Sequence, residues 1–187
     1  MARVNASPVT STSTVSYTHL TLPPAAVAAC GGLQASDIVL TAHPPMAASV
    51  GIPFMLVEVT GEALTRATPD PGAFRAALAE FPALEGQLEI YFYARDSDPE
   101  ASGSLRARMF GPLPGVWEDP ATGSAAATLA AFLLSLTAAQ SGDFDIVQGV
   151  EMRRPSLLHV AAHRAADGIR ASVGGSCVPV LRGEAMI

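Results

Sequence analysis

The apolar run from Ala125 to Leu136 constrains the fold of this chain more than any other stretch of its sequence. Larger apolar side chains recur in this run at the i, i+3, i+4, i+7 spacing of an α-helix, and alanines fill much of the rest. These larger residues are Leu129, Phe132, Leu133 and Leu136. Because nearly every helical face is apolar, we expect this helix to be buried all round. Only about twelve residues are densely apolar, against the roughly 20 that a bilayer span needs, so a core helix is favoured over a membrane span.

The residues before this run predict where the helix starts. Asp119 is a good N-cap, and Pro120, with its fixed φ and no N–H, suits the first helical position, so we expect the helix to begin at or just after Asp119. Small residues crowd the first turn, namely Ala121, Gly123, Ser124 and Ala125. Their backbone N–H groups, at the positive end of the helix dipole, favour a carboxylate or phosphate. An ordinary capped core helix has the same pattern, so both interpretations stay open.

Two segments carry a family resemblance. Residues 115–127, GVWEDPATGSAAA, resemble the EDPATGSA signature of the PhzF-like (phenazine-biosynthesis) family. Val147 to Ser156 resembles the QG…RPS segment of the same family, and it lies in the expected order along the chain. The resemblance runs from about Ala47 to Glu184 and corresponds to the second half of a family member.

The resemblance implies an α+β fold like that of diaminopimelate epimerase. Such a fold has two similar lobes, each a curled, mostly antiparallel sheet (a half-barrel) wrapped around a central buried helix, with the active site in the cleft between them. Residues 47–187 then form one lobe, the C-terminal one, and residues 25–46 are a remnant of the connection between lobes. We expect residues 1–24 to be a disordered or artefactual leader, because they are rich in Ser and Thr, and because Val15 to Pro23 resembles a translated sequencing-library adapter.

The resemblance also implies a chemistry. Family members move a proton between carbon atoms of a small carboxylate substrate, such as a dihydro-hydroxyanthranilate, without a metal or an organic cofactor. The resemblance assigns the proton shuttle to a Glu of the first half, which we expect this chain to lack. Asp119 and Ser124 correspond to catalytic positions that orient or stabilise the substrate. The positions whose backbone would bind the substrate are Thr122 and Gly123 at the helix start, and Gly174 and Gly175 near the C-terminus.

Two function classes remain open at this point. The first is one lobe of a PhzF-like isomerase or epimerase, a fragment whose cleft is completed by the missing N-terminal lobe or by a second copy in a homodimer. The second is a non-catalytic anion-binding or structural domain that keeps the anion site and has no base. A lobe that packs against a partner should expose apolar surface, so we expect an apolar patch near the Asp119 end of the helix.

Composition excludes several other classes. The net charge is −6 and no cluster of Lys or Arg occurs, which argues against nucleic acid or an anionic membrane as a partner. Cys30 and Cys177 give neither a disulfide framework nor a metal spacing, so the reducing cytoplasm is the expected compartment. His159 and His163 share a strand face, but no third ligand accompanies them, so no metal site is predicted.

Alternating apolar and polar residues predict two antiparallel strands, near 88–93 and 105–110, joined by a polar connection. Arg106 and Arg108 share one face of the second strand, and we expect both to be solvated. The remaining predicted elements are a strand over 51–59, an amphipathic helix over 71–81, a strand from Ile146, a hairpin of 158–162 with 169–173, and a last strand over 177–181.

Overall fold

A computed structural model describes residues 16–95 and 104–176 of the chain. These residues form a mixed α+β fold with one sheet and four α-helices. The strands are β1 (Ser16–Thr21), β2 (Met46–Ser49), β3 (Pro53–Glu58), β4 (Ile90–Arg95), β5 (Ser104–Gly111), β6 (Val116–Asp119), β7 (Ser141–Gln148), β8 (Ser156–Ala165) and β9 (Gly168–Gly174). The helices are α1 (Pro24–Cys30), α2 (Gly61–Arg66), α3 (Pro71–Glu80) and α4 (Gly123–Ser135).

The strands form a curled sheet in the order β1-β2-β3-β4-β5-β7-β8-β9, and β6 pairs with β5 beside this path. Within the described residues, only the pairs β3 with β4 and β5 with β7 are parallel. The predicted antiparallel pairing of the two central strands is confirmed, with Ile90 opposite Phe110 and Arg95 opposite Leu105. The mostly antiparallel half-barrel that the sequence predicted is therefore the observed architecture.

Helix α4 lies in the concave face of this sheet and is buried on all sides. Every residue from Ala125 to Leu134 is buried. The helix packs mainly on β8 and β9, with further contacts to β7, β2 and β3. The expectation of a central core helix is confirmed, because an apolar surface on every face is stable only where every face is covered.

A second layer, made of α1, α2 and α3, covers the other face of the sheet around β3 and β4. Side chains of β4 alternate between the two layers: Tyr91 and Tyr93 pack with α4, whereas Ile90 and Phe92 pack in the second core. Helix α3 confirms the predicted helix, and Asp70 caps it by accepting hydrogen bonds from two backbone N–H groups. Both faces of the central strands are thus buried, which fixes their register.

Three segments differ from the sequence expectations or lie beyond the structure. Strand β1 occupies residues 16–21, where the sequence shows no period, because pairing with β2 uses backbone groups that any residue provides. Strand β7 begins at Ser141, earlier than predicted, since its polar residues alternate onto the uncovered face of the sheet. The predicted last strand over 177–181 lies outside the described residues. The assignment of residues 1–24 and 25–46 to a leader and an inter-lobe remnant stays a prediction.

Among the residues described, no helix has the length and apolar character needed to cross a membrane.

Candidate active site

The start of α4 differs from the sequence prediction. The helix begins at Gly123, with Thr122 in the N-cap position, whereas Asp119 is the last residue of β6. The prediction that Asp119 caps the helix and that Pro120 opens it is therefore wrong. The physical reason is that the Thr122 N–H is satisfied by the side chain of Gln148, which belongs to the distant strand β7. Residues 120–122 thus form a short linker between strand and helix.

Asp119 makes a side-chain contact of a different kind. Its Oδ2 accepts a hydrogen bond of 2.6 Å from the hydroxyl of Thr122, and not from a backbone N–H as a cap would. Within the described part of the chain, the other carboxylate oxygen, Oδ1, has no hydrogen-bond partner. Asp119 therefore presents one bound and one open oxygen next to the start of α4.

Gln148 organises the polar groups beneath Asp119. Its side chain is fully buried and makes four hydrogen bonds. Oε1 accepts from the Thr122 N–H at 3.2 Å and from the Tyr91 hydroxyl at 3.0 Å. Nε2 donates to the Asp119 carbonyl at 2.6 Å and to the Thr122 hydroxyl at 2.9 Å. Burial raises the pKa of Tyr91, and the nearby negative charge of Asp119 raises it further. The Tyr91 hydroxyl therefore stays protonated and acts as the donor.

The sequence alone does not predict this role of Gln148 and of Tyr91. Gln148 lies in the QG…RPS segment, which the family resemblance singles out. The sequence does not show which residues the Gln148 side chain contacts. Tyr91 carries no sequence signal beyond strand alternation. Both side chains reach the site only through the packing of β4 and β7 around α4.

The first turn of α4 keeps its donors open, as predicted. The Thr122 carbonyl is the first acceptor within the helix, and it accepts a hydrogen bond from the Ala126 N–H. The N–H groups of Gly123 and Ser124 precede this first bond, so they have no acceptor within the helix and point out of its end. The Ser124 hydroxyl has no hydrogen-bond partner among the described residues, while its carbonyl accepts from Thr128. The Thr122 N–H, in contrast, is occupied, so Thr122 supports the site and is not a free donor.

Of the two glycines near the C-terminus, Gly174 directly follows Val173, the residue of β9 that packs on the helix start, and it lines a cavity on the outer face of the sheet with Asp145 and His159. A Cβ added to Gly123 would lie 3.5 Å from a methyl of Val173, so the end of β9 packs directly on the first turn of α4. A Cβ added to Gly175 would lie 3.1 Å from the carbonyl oxygen of Leu157, which places Gly175 beside the start of β8. The backbone of this pair therefore lines the same end of the sheet as Asp119.

An ion pair fixes the other face of β6. Arg108 is 6% exposed, and its Nε and Nη2 donate to the two carboxylate oxygens of Glu118, both at 2.8 Å. Its Nη1 donates to the carbonyls of Leu64 and Ala67 at the end of α2. The expectation that Arg108 is solvated is wrong, because α2 and β6 cover that face of β5. Arg106, in contrast, has a side chain that is 38% exposed and pairs with Glu151.

Strand β6 carries a bulge between Val116 and Asp119. Asp119 pairs with Met109 and Val116 with Gly111, so β6 has one residue more than β5 over this stretch. Bulges of this type re-aim a side chain and are common beside active sites. Here the bulge and the Arg108 ion pair hold β6 while Asp119 turns toward Thr122.

Exposed apolar side chains gather at this end of the sheet. Two of them lie at the beginnings of β3 and β8, two lie on β6, and one lies just after the end of β7. The strand pairings place all of these positions at the same end of the sheet. The residues are Ile52, Val116, Trp117, Val150 and Leu157, of which Trp117 is 54% exposed. Their position agrees with the apolar patch that we expect near Asp119 from the sequence.

A second buried polar cluster lies farther along α4. The Nε2 of His43 is 2.7 Å from the Tyr93 hydroxyl, which donates to Glu58 at 2.8 Å, and Glu58 pairs with Arg95. Burial lowers the pKa of His43, while the Pro44 carbonyl and Glu58 act in the opposite direction. No group of three or more metal-binding side chains occurs among residues 16–95 and 104–176.

Comparison with known proteins identifies similar sequences. A family model described as phenazine biosynthesis-like protein matches residues 2–183. A trans-2,3-dihydro-3-hydroxyanthranilate isomerase of Pseudomonas chlororaphis is 44% identical over 84 residues, 44% of this chain and 30% of the relative. An uncharacterised isomerase of Mesorhizobium japonicum is 31% identical over 173 residues, 90% of this chain and 57% of the relative. The matches thus span well under two thirds of these relatives.

Solved structures show the same fold. A PhzF-family phenazine biosynthesis protein of Bacillus anthracis superposes with a TM-score of 0.77 at 19% identity, over 94% of this chain and 59% of the other. A predicted epimerase of Pseudomonas aeruginosa superposes with a TM-score of 0.62 at 31% identity, over 88% of this chain and 53% of the other. The first likeness shows the fold alone.

Proposed function

The chain belongs to the phenazine biosynthesis-like (PhzF) protein family, and from that membership we propose that it supplies one lobe of a cofactor-independent isomerase or epimerase. The proposed substrate is a small carboxylate of the dihydro-hydroxyanthranilate type, since relatives carry the name trans-2,3-dihydro-3-hydroxyanthranilate isomerase. In such a reaction a proton leaves one carbon and a proton is added to another. Neither the atom count nor the oxidation state changes, so the reaction consumes no co-reactant.

One observation carries this proposal: an oriented carboxylate lies beside the open start of a buried helix. Asp119 has an unpaired oxygen, and the adjacent turn offers the N–H groups of Gly123 and Ser124 and the Ser124 hydroxyl. Donors fixed in this way stabilise negative charge on a substrate carboxylate as a neighbouring carbon loses its proton, because they need not reorganise during the reaction. Asp119 would accept a hydrogen bond from the substrate and orient it.

We propose that a second lobe completes the cleft and supplies the base. The family resemblance assigns the shuttle carboxylate to a Glu of the first lobe, and this chain spans between 30% and 57% of the two relatives described above. The exposed apolar side chains at this end of the sheet, Trp117 among them, support a partner there. A homodimer is the alternative source of a partner lobe. We further propose a cytoplasmic location, in keeping with two cysteines that form no disulfide framework.

Turnover by a two-lobed protein tests the proposed function. The chain is assayed by proton NMR with trans-2,3-dihydro-3-hydroxyanthranilate, alone and joined to the first half of the Pseudomonas chlororaphis isomerase. We expect substrate consumption only by the joined protein, and at least a tenfold loss in its Asp119→Ala and Ser124→Ala variants. Turnover that neither substitution affects would contradict the proposal. Binding without turnover by the joined protein would favour the alternative, a non-catalytic anion-binding domain.

A further inference from the structure

We propose that Gln148 is a positioning residue that, acting through Thr122, holds Asp119 as a hydrogen-bond acceptor with its Oδ1 directed to the ligand. The inference rests on the proposed function for the identity of the ligand, and on the geometry of the buried network for the rest. It adds a role for two side chains that do not themselves contact the reacting atoms.

The orientation of the Gln148 amide is fixed by its neighbours. The Thr122 N–H is only a donor and lies 3.2 Å from Oε1, and the Asp119 carbonyl is only an acceptor and lies 2.6 Å from Nε2. If the amide were turned over, two donors would face each other at one end and two acceptors at the other. Such a pair of buried mismatches is costly, so only the observed orientation satisfies both neighbours.

This orientation sets the direction of the next hydrogen bond. With Nε2 donating to the Thr122 oxygen at 2.9 Å, the single hydroxyl proton of Thr122 has to point elsewhere. Its remaining neighbour is Oδ2 of Asp119, at 2.6 Å. The hydrogen bonds therefore run in one direction, from the Gln148 amide to the Thr122 hydroxyl and from there to the Asp119 carboxylate.

The direction has a chemical consequence for Asp119. Oδ2 is occupied as the acceptor of the Thr122 hydroxyl, which leaves Oδ1 as the carboxylate oxygen available to a ligand. A hydrogen bond on one oxygen also limits rotation of the carboxylate, which keeps Oδ1 at a defined position beside the first turn of α4. Asp119 is thereby prepared to accept a ligand donor, such as the amino group of an aminocarboxylate, while the helix start receives the ligand carboxylate.

A pair of matched threonine substitutions tests the inference on the full chain. Thr122→Val removes the hydroxyl that links Gln148 to Asp119, and Thr122→Ser restores it. Thr128→Val is the control, because it removes one buried hydroxyl from the same helix, where it bonds the Ser124 carbonyl at 2.8 Å outside the network. Gln148→Met is a harsher variant, since it also leaves the Thr122 N–H and the Asp119 carbonyl without a partner.

The first readout needs no ligand. Three-bond NMR couplings from the Asp119 carboxyl carbon to its backbone nitrogen and carbonyl report the χ1 rotamer. We expect a single rotamer in the wild-type chain, in Thr122→Ser and in Thr128→Val, and averaged couplings in Thr122→Val. Unchanged couplings in Thr122→Val, or averaging in the Thr128→Val control as well, would overturn the inference.

The second readout separates the inference from the proposed function. Titration with 3-hydroxyanthranilate measures affinity, and we expect Thr122→Val to bind at least tenfold more weakly than Thr122→Ser and Thr128→Val. Equal affinities in all variants would overturn the positioning role, whatever the rotamers show. If the wild-type chain does not bind this probe, the proposed ligand is wrong, and the couplings alone decide whether Gln148 and Thr122 position Asp119.

Discussion

Glu118 and Asp119 are adjacent acidic residues with opposite environments. Glu118 is held by Arg108 on one face of β6, whereas Asp119 turns to Thr122 on the other and keeps one oxygen open. The sequence correctly marked both as part of a distinctive segment. It could not show that Gln148, which lies 26 residues beyond Thr122, accepts a hydrogen bond from the Thr122 N–H, and this contact is why Asp119 is not a helix cap.

Gly149 illustrates a backbone constraint at the residue scale. Its φ is +77°, and an added Cβ would lie 2.5 Å from the Arg154 carbonyl oxygen and 2.9 Å from that of Pro120. We predict that Gly149→Ala lowers the free energy of unfolding by about 2 kcal/mol or more, measured by urea denaturation, because strain and overlap add. Gly115→Ala is the control, since Gly115 has a φ of +98° with nothing within 4 Å, and it should cost about 1 kcal/mol. Equal losses in the two variants would contradict the close packing of Gly149 against Pro120.

At the scale of elements, the sequence predicts those that local patterns specify and does not predict those that depend on contacts between distant parts of the chain. Helix α4, helix α3 and the pairing of β4 with β5 follow from local apolar periods, and the structure confirms them. The short strand β6 and the true start of α4 depend on contacts with β5 and β7, which local patterns do not encode. The burial of Arg108 has the same origin, because α2 and β6 cover it from distant parts of the sequence.

The ion pair between β5 and β6 gives a prediction about elements. We expect Arg108→Met to lower the free energy of unfolding by about 3–5 kcal/mol, because it leaves Glu118 buried without a counter-charge. The control is Arg170→Met in the exposed pair of Arg170 with Asp167, for which we expect a far smaller loss because solvent screens both charges. Urea denaturation measures both. Comparable losses would show that the Arg108 pair is no more important to β6 than a surface pair.

At the scale of the whole molecule, the polar and apolar features of the site converge at one end of the sheet. The family resemblance predicted the half-barrel and its central helix, because the EDPATGSA segment and the apolar run after it identify both. The same resemblance gave no account of the second layer, in which α1, α2 and α3 cover the outer face. That layer is built from short helices whose partners become apparent only once the sheet has formed.

The buried His43 cluster makes the stability of the whole fold depend on pH. Burial lowers the pKa of His43 from its ordinary value of 6.5, and the positive charge of Arg95 lowers it further. The Pro44 carbonyl and Glu58 raise this pKa and so oppose the shift. The rings of Tyr93 and Phe132 pack on the imidazole. The unfolded chain therefore binds this proton more readily. The contribution of His43 to stability is fully present above that ordinary value and is lost as the pH falls through the lowered pKa.

Urea midpoints measured between pH 7.5 and pH 5 test this dependence. We expect the midpoint of the wild-type chain to fall over this range, and the fall to be smaller in His43→Gln, which cannot titrate. His163→Gln, at an exposed position, serves as the control and should behave as the wild type. A His43→Gln chain with the same pH dependence as the wild type would contradict the assignment.

The most direct test of the central claim, that the start of α4 and Asp119 form a carboxylate site, is an amide NMR titration of the chain with 3-hydroxyanthranilate. We predict that shifts concentrate on Gly123, Ser124 and Ala125, and that Asp119→Asn weakens binding without unfolding the chain. A folded chain with no shifts at these residues would contradict the claim. So would shifts confined to the cavity of about 350 Å³ on the outer face of β7 to β9, near Asp145 and His159.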